Sequence, residues 1–363
     1  MNTQFEHLFQ PIRVGTLQLR NRIMLPPHAT AVGGLFGSND AESERNVQYW
    51  GARARAGAAW IDGITGFIEN LVPPGFEPIG VGARTKGIFR LPRFLERMGR
   101  YAQVVHEAGA VATTQLVIQG GMPHGASPTL SGPTINLVPH ALTKREIRWF
   151  VDEYGYSARR AQEAGLDGVE VHANHDDMIE WFLSPKTNQR ADEYGGSREG
   201  RARYLVEILR EIRERVRANF TVGIRMNLLE GEPGGYDLDG ARWLALYLQD
   251  HALVDYVHLV MGSPWGDPSY IQPHYYEPAQ WAALAKQVRR DLKLPVVYTG
   301  RVNSPEIPEA VIAGGMADVV GMARAHIADP ELVAKARRGA SAAIRPCIGC
   351  NECIASGYME SLP

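Results

Sequence analysis

Eight short, apolar, β-rich segments alternate along this chain with longer amphipathic stretches. The predicted strands are Ile23–Leu25, Trp60–Thr65, Val111–Leu116, Gly168–His172, Thr221–Met226, Tyr256–Val260, Pro295–Thr299 and Asp318–Gly321. The helical stretches between them include Arg93–Ala108, Lys144–Ala164, Ser197–Ala218, Gly240–Gln249 and Pro278–Leu292. Thr143-Lys144-Arg145-Glu146 is a capping box: hydroxyl and carboxylate satisfy orphan backbone N–H groups reciprocally where a helix begins. Gly109 and Gly165 stand where helices end just before strands, a place for a left-handed cap. Eight such alternations predict an α/β fold, a (β/α)8 TIM barrel in preference to a doubly wound sheet. With 363 residues, 45% of them hydrophobic, the chain has ample core for one such domain. The barrel is expected over residues 1–340, and the cysteine-rich segment 341–363 follows it.

The charge balance is even, 38 basic against 40 acidic residues and a net charge of -2, so no nucleic-acid or anionic-membrane partner is expected. No apolar run reaches the roughly 18 residues of a membrane span. Met1-Asn2-Thr3-Gln4-Phe5-Glu6-His7 lacks the basic-then-apolar layout of a secretory signal, so a cytoplasmic protein is expected. The three cysteines, Cys347, Cys350 and Cys353, form one C-x-x-C-x-x-C run. An odd, tightly spaced set in a reducing compartment argues for a metal or a cluster over disulfides. Iron–sulfur and zinc chemistry each need a fourth ligand. Continuation of the chain beyond Pro363 is expected to supply it.

The strand ends carry the chemistry. In a barrel the C-terminal ends of the strands form the active-site face. The first ends in Pro26-Pro27-His28-Ala29-Thr30, the third in Gln115, the fourth in His172 with His175 just beyond, and the fifth in Arg225. Trp265-Gly266-Asp267 follows the sixth, Gly300-Arg301 the seventh and Gly321-Met322-Ala323-Arg324 the eighth. Three long loops, Leu71–Arg90, Gly120–Ala141 and Gly262–Glu277, follow strands and are expected to roof this face. Glycine then arginine after the last two strands fits the phosphate site common in barrels. It also fits a plain turn with a surface charge. An amide at Gln115 and a guanidinium at Arg225 suit a planar heterocycle on which negative charge develops. Arg225 has a competing partner in the barrel carboxylate Glu170. The two histidines are proton-handling groups near neutral pH.

These residues lie in longer motifs: Leu8-Phe9-Gln10-Pro11-Ile12, Leu19-Arg20-Asn21-Arg22-Ile23, Gln115-Leu116, Gly168-Val169-Glu170-Val171-His172, and Phe182-Leu183-Ser184-Pro185. Asn188-Gln189-Arg190, Tyr194-Gly195-Gly196-Ser197, Arg201, Gly300-Arg301, Ala317-Asp318, Arg324 and Ala328-Asp329-Pro330 continue the series. Together they resemble the Old Yellow Enzyme family of flavin-dependent barrels over the whole chain. With Cys347-Ile348-Gly349-Cys350-Asn351 they resemble its multidomain branch, which includes trimethylamine dehydrogenase and 2,4-dienoyl-CoA reductase. The resemblance implies FMN across the barrel mouth. Pro27, His28 and Ala29 would approach the isoalloxazine, Gln115 its pyrimidine edge and Arg225 its N1 and O2. Gly300, Arg301, Met322, Ala323 and Arg324 would surround the phosphate. It implies a [4Fe-4S] cluster on Cys347, Cys350 and Cys353, a homo-oligomer, and further FAD, ADP or NAD(P)H sites in a C-terminal half. His172 and His175 match the substrate-facing pair.

Departures from the family pattern shape the functional expectation. Many relatives carry Gly-Tyr after the second histidine; this chain has Asp176-Asp177, read as carboxylates at the site entrance. Ala29 follows Pro27-His28 where trimethylamine dehydrogenase has its flavin-linking cysteine, so FMN is expected to be noncovalent. Trp265 and Asp267 match parts of that enzyme's cation site, whereas Thr65 stands near the place of its tyrosine. Tyr270, Tyr275, Tyr276 and Trp181 are candidate walls. The first expectation is oxidation of a methylated amine, with His172, His175 and Asp267 catalytic and Trp265, Asp176, Asp177, Tyr270 and Trp181 binding the substrate. Aromatic faces attract such cations, and a cluster would carry the electrons to an acceptor. The second is an NAD(P)H-dependent enoate or 2,4-dienoyl-CoA reductase, in which the histidine pair polarises a carbonyl. The third is a barrel lyase or an electron-transfer module without substrate chemistry of its own.

Overall fold

The structure is a computed structural model that describes residues 5–28, 30, 34–37, 39–71, 86–118, 120, 123–130, 138–231, 233–263 and 267–359. Eight strands close into a barrel: β1 Ile23–Leu25, β2 Trp60–Phe67, β3 Val111–Val117, β4 Gly168–Ala173, β5 Thr221–Asn227, β6 Tyr256–Val260, β7 Val296–Thr299 and β8 Val319–Gly321. Each pairs in parallel with its sequence neighbours, and β8 pairs with β1. The predicted barrel is the observed one, with strand limits shifted by at most two residues. The strands are apolar on both sides because both faces are covered. Val169 and Val171 of β4 pack outward in the main core, while Glu170 and His172 alternate with them into the barrel.

The helices ring this barrel. They are α1 Asp40–Arg55, α2 Phe94–Glu107, α3 Lys144–Glu163, α4 Met178–Leu183, α5 Arg198–Arg215 and α6 Leu238–Asp250. After them come α7 Ala282–Arg289, α8 Glu306–Ala313, α9 Ala323–Ala328, α10 Leu332–Arg337 and α11 Glu352–Met359. The capping box forms as read: Thr143 accepts from the Glu146 N–H, and Glu146 from the Thr143 N–H. Gly109 and Gly165 have φ of 69° and 88°, the left-handed conformation that lets each chain turn from helix to strand. The stretch at Pro278–Leu292 is helical only over α7, because Ala279 also takes a left-handed φ of 51° and delays the helix.

A hairpin, Ile12–Val14 with Leu17–Leu19, was not read from the sequence. Its Val14, Leu17 and Leu19 pack with Met24, Trp60, Tyr256, Val297 and Val319 in a second apolar cluster that includes side chains from β1, β2, β6, β7 and β8. Among the described residues no helix is long and apolar enough to cross a membrane.

Candidate active site

The strand ends open into a cavity of about 790 Å³. Barrel register places its floor. His172 on β4 is level with Arg225 on β5, which is level with His258 on β6; Gln115 on β3 is level with Glu170 on β4. Side chains at matched positions of neighbouring parallel strands share a face, so these groups converge without any motif joining them in sequence.

A buried network lies beneath the cavity. Glu170 accepts from Gln115 Nε2 at 2.7 Å and Tyr256 Oη at 3.1 Å, and pairs with His258 Nδ1 at 2.8 Å. His258 Nε2 reaches Thr299 Oγ1 at 2.8 Å. Burial opposes ionisation of Glu170, yet the His258 and Arg225 charges and the hydrogen bonds hold its carboxyl below the usual range. Asp62 goes the other way: burial, then the Glu170 charge, drive its carboxyl well above that range. The pair thus divides, Glu170 favouring its ionised form and Asp62 its protonated form. Among the described residues the ion-pair partner of Glu170 is His258. The guanidinium of Arg225 is left facing the cavity, and its Nε has no hydrogen-bond partner among the described residues.

At one side of the cavity, His172 Nδ1 lies 3.2 Å from Asp177 Oδ2, and His172 Nε2 lies 3.4 Å from His175 Nδ1. The His175 ring packs against Tyr270, centroids 4.6 Å apart. Burial, then the charges of Arg225, His172 and His258, push the His175 imidazole well below its ordinary value, so it is neutral near pH 7. At the other side Arg301 and Arg324 approach each other, and the Nε of Arg301 is also unpartnered among the described residues. Arg324 Nη1 donates to Asn351 Oδ1 at 2.6 Å, and Arg301 Nη1 to the Tyr276 carbonyl. Two adjacent guanidiniums without a carboxylate bridge fit an anion.

The structure brings Pro27, His28, Gln115, His172, His175, Arg225, Tyr270, Gly300, Arg301, Ala323 and Arg324 to one cavity, with Met322 buried at its edge. Ala29 and Trp265 lie outside the described residues. The entrance carboxylates require correction. Asp177 is buried, because both its oxygens accept backbone N–H groups: Oδ1 from Ile179, capping α4, and Oδ2 from Ile118. Asp176 turns to accept from the Trp181 indole, and Trp181 is buried behind the wall. Asp267 is exposed, accepts from Tyr276 Oη, and does not line the cavity. Tyr275 is 70% exposed.

Tyr49 was missed in sequence. Its hydroxyl meets His28 Nε2 at 2.7 Å, while His28 Nδ1 donates to the Pro26 carbonyl, and burial holds His28 down to about 4. His258 was missed too, although its place two residues beyond Tyr256 on an alternating strand marks it as inward-facing.

The cysteine tail folds over the mouth. Cys347 and Cys353 line the cavity, and the Cys347 carbonyl accepts from Asn303. The thiols are near enough for Cys347 and Cys350 to oppose ionisation of Cys353, after burial. Even so, among the described residues no three His, Cys, Asp or Glu side chains are spaced to hold a metal ion.

For FMN the residues do fit. The cavity combines an apolar trough, an orphaned guanidinium at Arg225 and an anion corner at Arg301 and Arg324, the donor set of a flat heterocycle carrying a phosphate. Fold and site together define a flavin-binding barrel of the Old Yellow Enzyme type. The chain belongs to the NADH:flavin oxidoreductase / NADH oxidase family, whose pattern matches residues 7–342. It is 33% identical over 370 residues to an NADH oxidase of Thermoanaerobacter brockii, covering 99% of this chain and 55% of that protein. It is 31% identical over 374 residues to an N,N-dimethylglycine/sarcosine dehydrogenase of Chromohalobacter salexigens, covering 98% and 51%. A solved 2-naphthoyl-CoA reductase superposes with a TM-score of 0.85 at 25% identity, over 96% of this chain and 54% of that one. The chain thus spans about half the length of these relatives.

Proposed function

We propose that this chain forms the FMN-binding, substrate-binding part of an NAD(P)H-dependent reductase of C=C bonds conjugated to a carbonyl. One observation carries the reading: the polar groups facing substrate space are the imidazoles of His172 and His175 beside Tyr270, and no Asp or Glu is among the described residues lining the cavity. A carbonyl oxygen gains from hydrogen-bond donors in a water-poor site. An ammonium ion would find no carboxylate among the described residues lining the cavity.

FMN, held noncovalently, supplies hydride transfer at its isoalloxazine ring. Gln115 and Arg225 would take the pyrimidine edge, where Arg225 stabilises negative charge. Arg301 and Arg324, with the backbone at Gly300 and Ala323, would take the phosphate. His175 would face the conjugated carbonyl compound, with His172 behind it, its Nε2 3.4 Å from His175 Nδ1. An iron–sulfur cluster on Cys347, Cys350 and Cys353 would take a fourth ligand and would carry electrons one at a time. Oxidation of a methylated amine is the second reading. It is favoured by the likeness to the dimethylglycine/sarcosine dehydrogenase and would draw on Trp265 and Asp267.

Anaerobic mixing separates the two. Reduced holoenzyme is expected to regain its yellow colour with 2-cyclohexenone in a saturable reaction. Bleaching of oxidised holoenzyme by dimethylglycine, with no reaction of the reduced form with the enone, would replace the first reading by the second.

A further inference from the structure

Asp177 stands where the family pattern has tyrosine, and its place in the fold gives it work besides capping a helix. Its Oδ1 accepts from Ile179 N at 2.9 Å and its Oδ2 from Ile118 N at 3.1 Å; burial raises its carboxyl, and His172 with these N–H groups opposes that rise. With Asp177 ionised, His172 Nδ1, 3.2 Å from Oδ2, carries a proton. That fixes the tautomer and leaves His172 Nε2, 3.4 Å from His175 Nδ1, as the next link. His175 takes a left-handed φ of 56° and Asp176 one of 67°. These conformations are uncommon for non-glycine residues, and they fold the chain back so that residues 172, 175 and 177 meet. The Asp176 turn is held by its backbone N–H to Glu180 Oε2 at 2.6 Å and by the Trp181 indole.

We infer that Asp177, His172 and His175 form a proton wire that delivers the proton of the reduction to the substrate through His175 Nε2. The inference rests on the reductase reading for its substrate but not for its geometry. In the charged wire Asp177 is ionised, His172 carries protons on both nitrogens and donates to His175 Nδ1, and His175 carries its proton on Nε2. The hydride equivalent comes by way of FMN from NAD(P)H, and one proton remains to be added at the substrate's α carbon. The His175 Nε2–H bond breaks as that C–H bond forms, and the His172 Nε2 proton moves to His175 Nδ1. The wire has then lost one proton, which solvent restores.

The charges around the wire suit a shuttle. Arg225 on β5 and His258 on β6 face it from the barrel floor and oppose a resting positive charge on His175, while Tyr270 covers that ring. Behind Asp177 stand the buried phenols Tyr154 on α3 and Tyr204 on α5, both neutral. Asp177 is therefore a positioning residue, and His175 is the group that touches substrate.

Asp177→Asn tests this in the FMN-loaded full chain: the amide oxygen still caps α4 at Ile179 N, while its NH2 replaces the acceptor that meets Ile118 N and His172 Nδ1. Nitrogen-15 NMR of histidine-labelled wild type near pH 8 should show His172 protonated at Nδ1. An Nε2-protonated His172 in the wild type would overturn the wire whatever the substrate. In rapid mixing of reduced enzyme with 2-cyclohexenone from about pH 6 to about pH 9, the wild-type rate should fall at high pH as the wire loses its proton. Asp177→Asn should slow the reaction by about 100-fold, the lower range of general-acid effects, and abolish that alkaline limb. An unchanged limb in the variant would refute the inference. A wild type inert to enones would sink the reductase reading alone, and the His172 tautomer would still decide the wire.

Discussion

His326, on α9 behind the phosphate corner, is wholly buried, with Nδ1 donating to the Met322 carbonyl at 2.5 Å. Burial pushes its imidazole from 6.5 down to about 4; the Met322 carbonyl opposes the shift and Arg53 adds to it. The folded state therefore holds a neutral ring that the unfolded chain protonates near 6.5. Stability from this residue is fully present above that value and is lost as the pH falls toward 4. The loss between about pH 7 and about pH 5 should be about 2 kcal/mol. Urea unfolding of wild type and His326→Gln should show it as a shallower pH dependence in the variant. Equal slopes would remove His326 from the account. His28 shares the direction and the value, so the flavin-facing end of β1 and the start of α9 should loosen together in acid.

Among the elements, α3 is the one whose start is written most plainly in the chain. Thr143 and Glu146 cap it reciprocally, and Glu146 also binds His140 at 2.8 Å, tying the loop after β3 to the helix. Thr143→Ala should cost about 1 kcal/mol in urea unfolding, with little change in the spectrum of bound FMN. A loss below about 0.3 kcal/mol would mean that tertiary packing alone sets the helix start. The beginning of α4 shows the opposite case. Asp177 caps it, but Asp176-Asp177 reads as two entrance charges until the backbone is seen. Which way a carboxylate points depends on the left-handed turn at His175 and Asp176, which these residue types adopt more readily than most but do not require.

For the molecule as a whole, the proposed FMN residues come from the end of β1, β3, β5, the turn after β7 and the segment after β8, so flavin binding should stabilise the entire barrel. Apoprotein titrated with FMN should gain about 2.7 kcal/mol at 100 times the dissociation constant. Acid precipitation should then release all the flavin, because Ala29 offers no thiol where trimethylamine dehydrogenase has its flavin-linking cysteine. Flavin retained in the pellet would refute noncovalent binding.

The sequence by itself determined the barrel. Strand and helix signals are local: burial periodicity, capping hydroxyls and left-handed glycines act over a few residues, and all eight strands lie within two residues of their predicted limits. It also determined which strand ends carry Gln115, His172, Arg225, Arg301 and Arg324, since parallel strands and a closed barrel leave one face for them. Only the tertiary structure decided how those groups pair. Glu170 takes His258 as its ion-pair partner, Asp177 turns inward to His172, Trp181 is buried and Asp267 stays in solvent. Pairing follows from register between strands and from backbone turns at their ends, contacts between residues far apart in the chain. No short-range pattern encodes them.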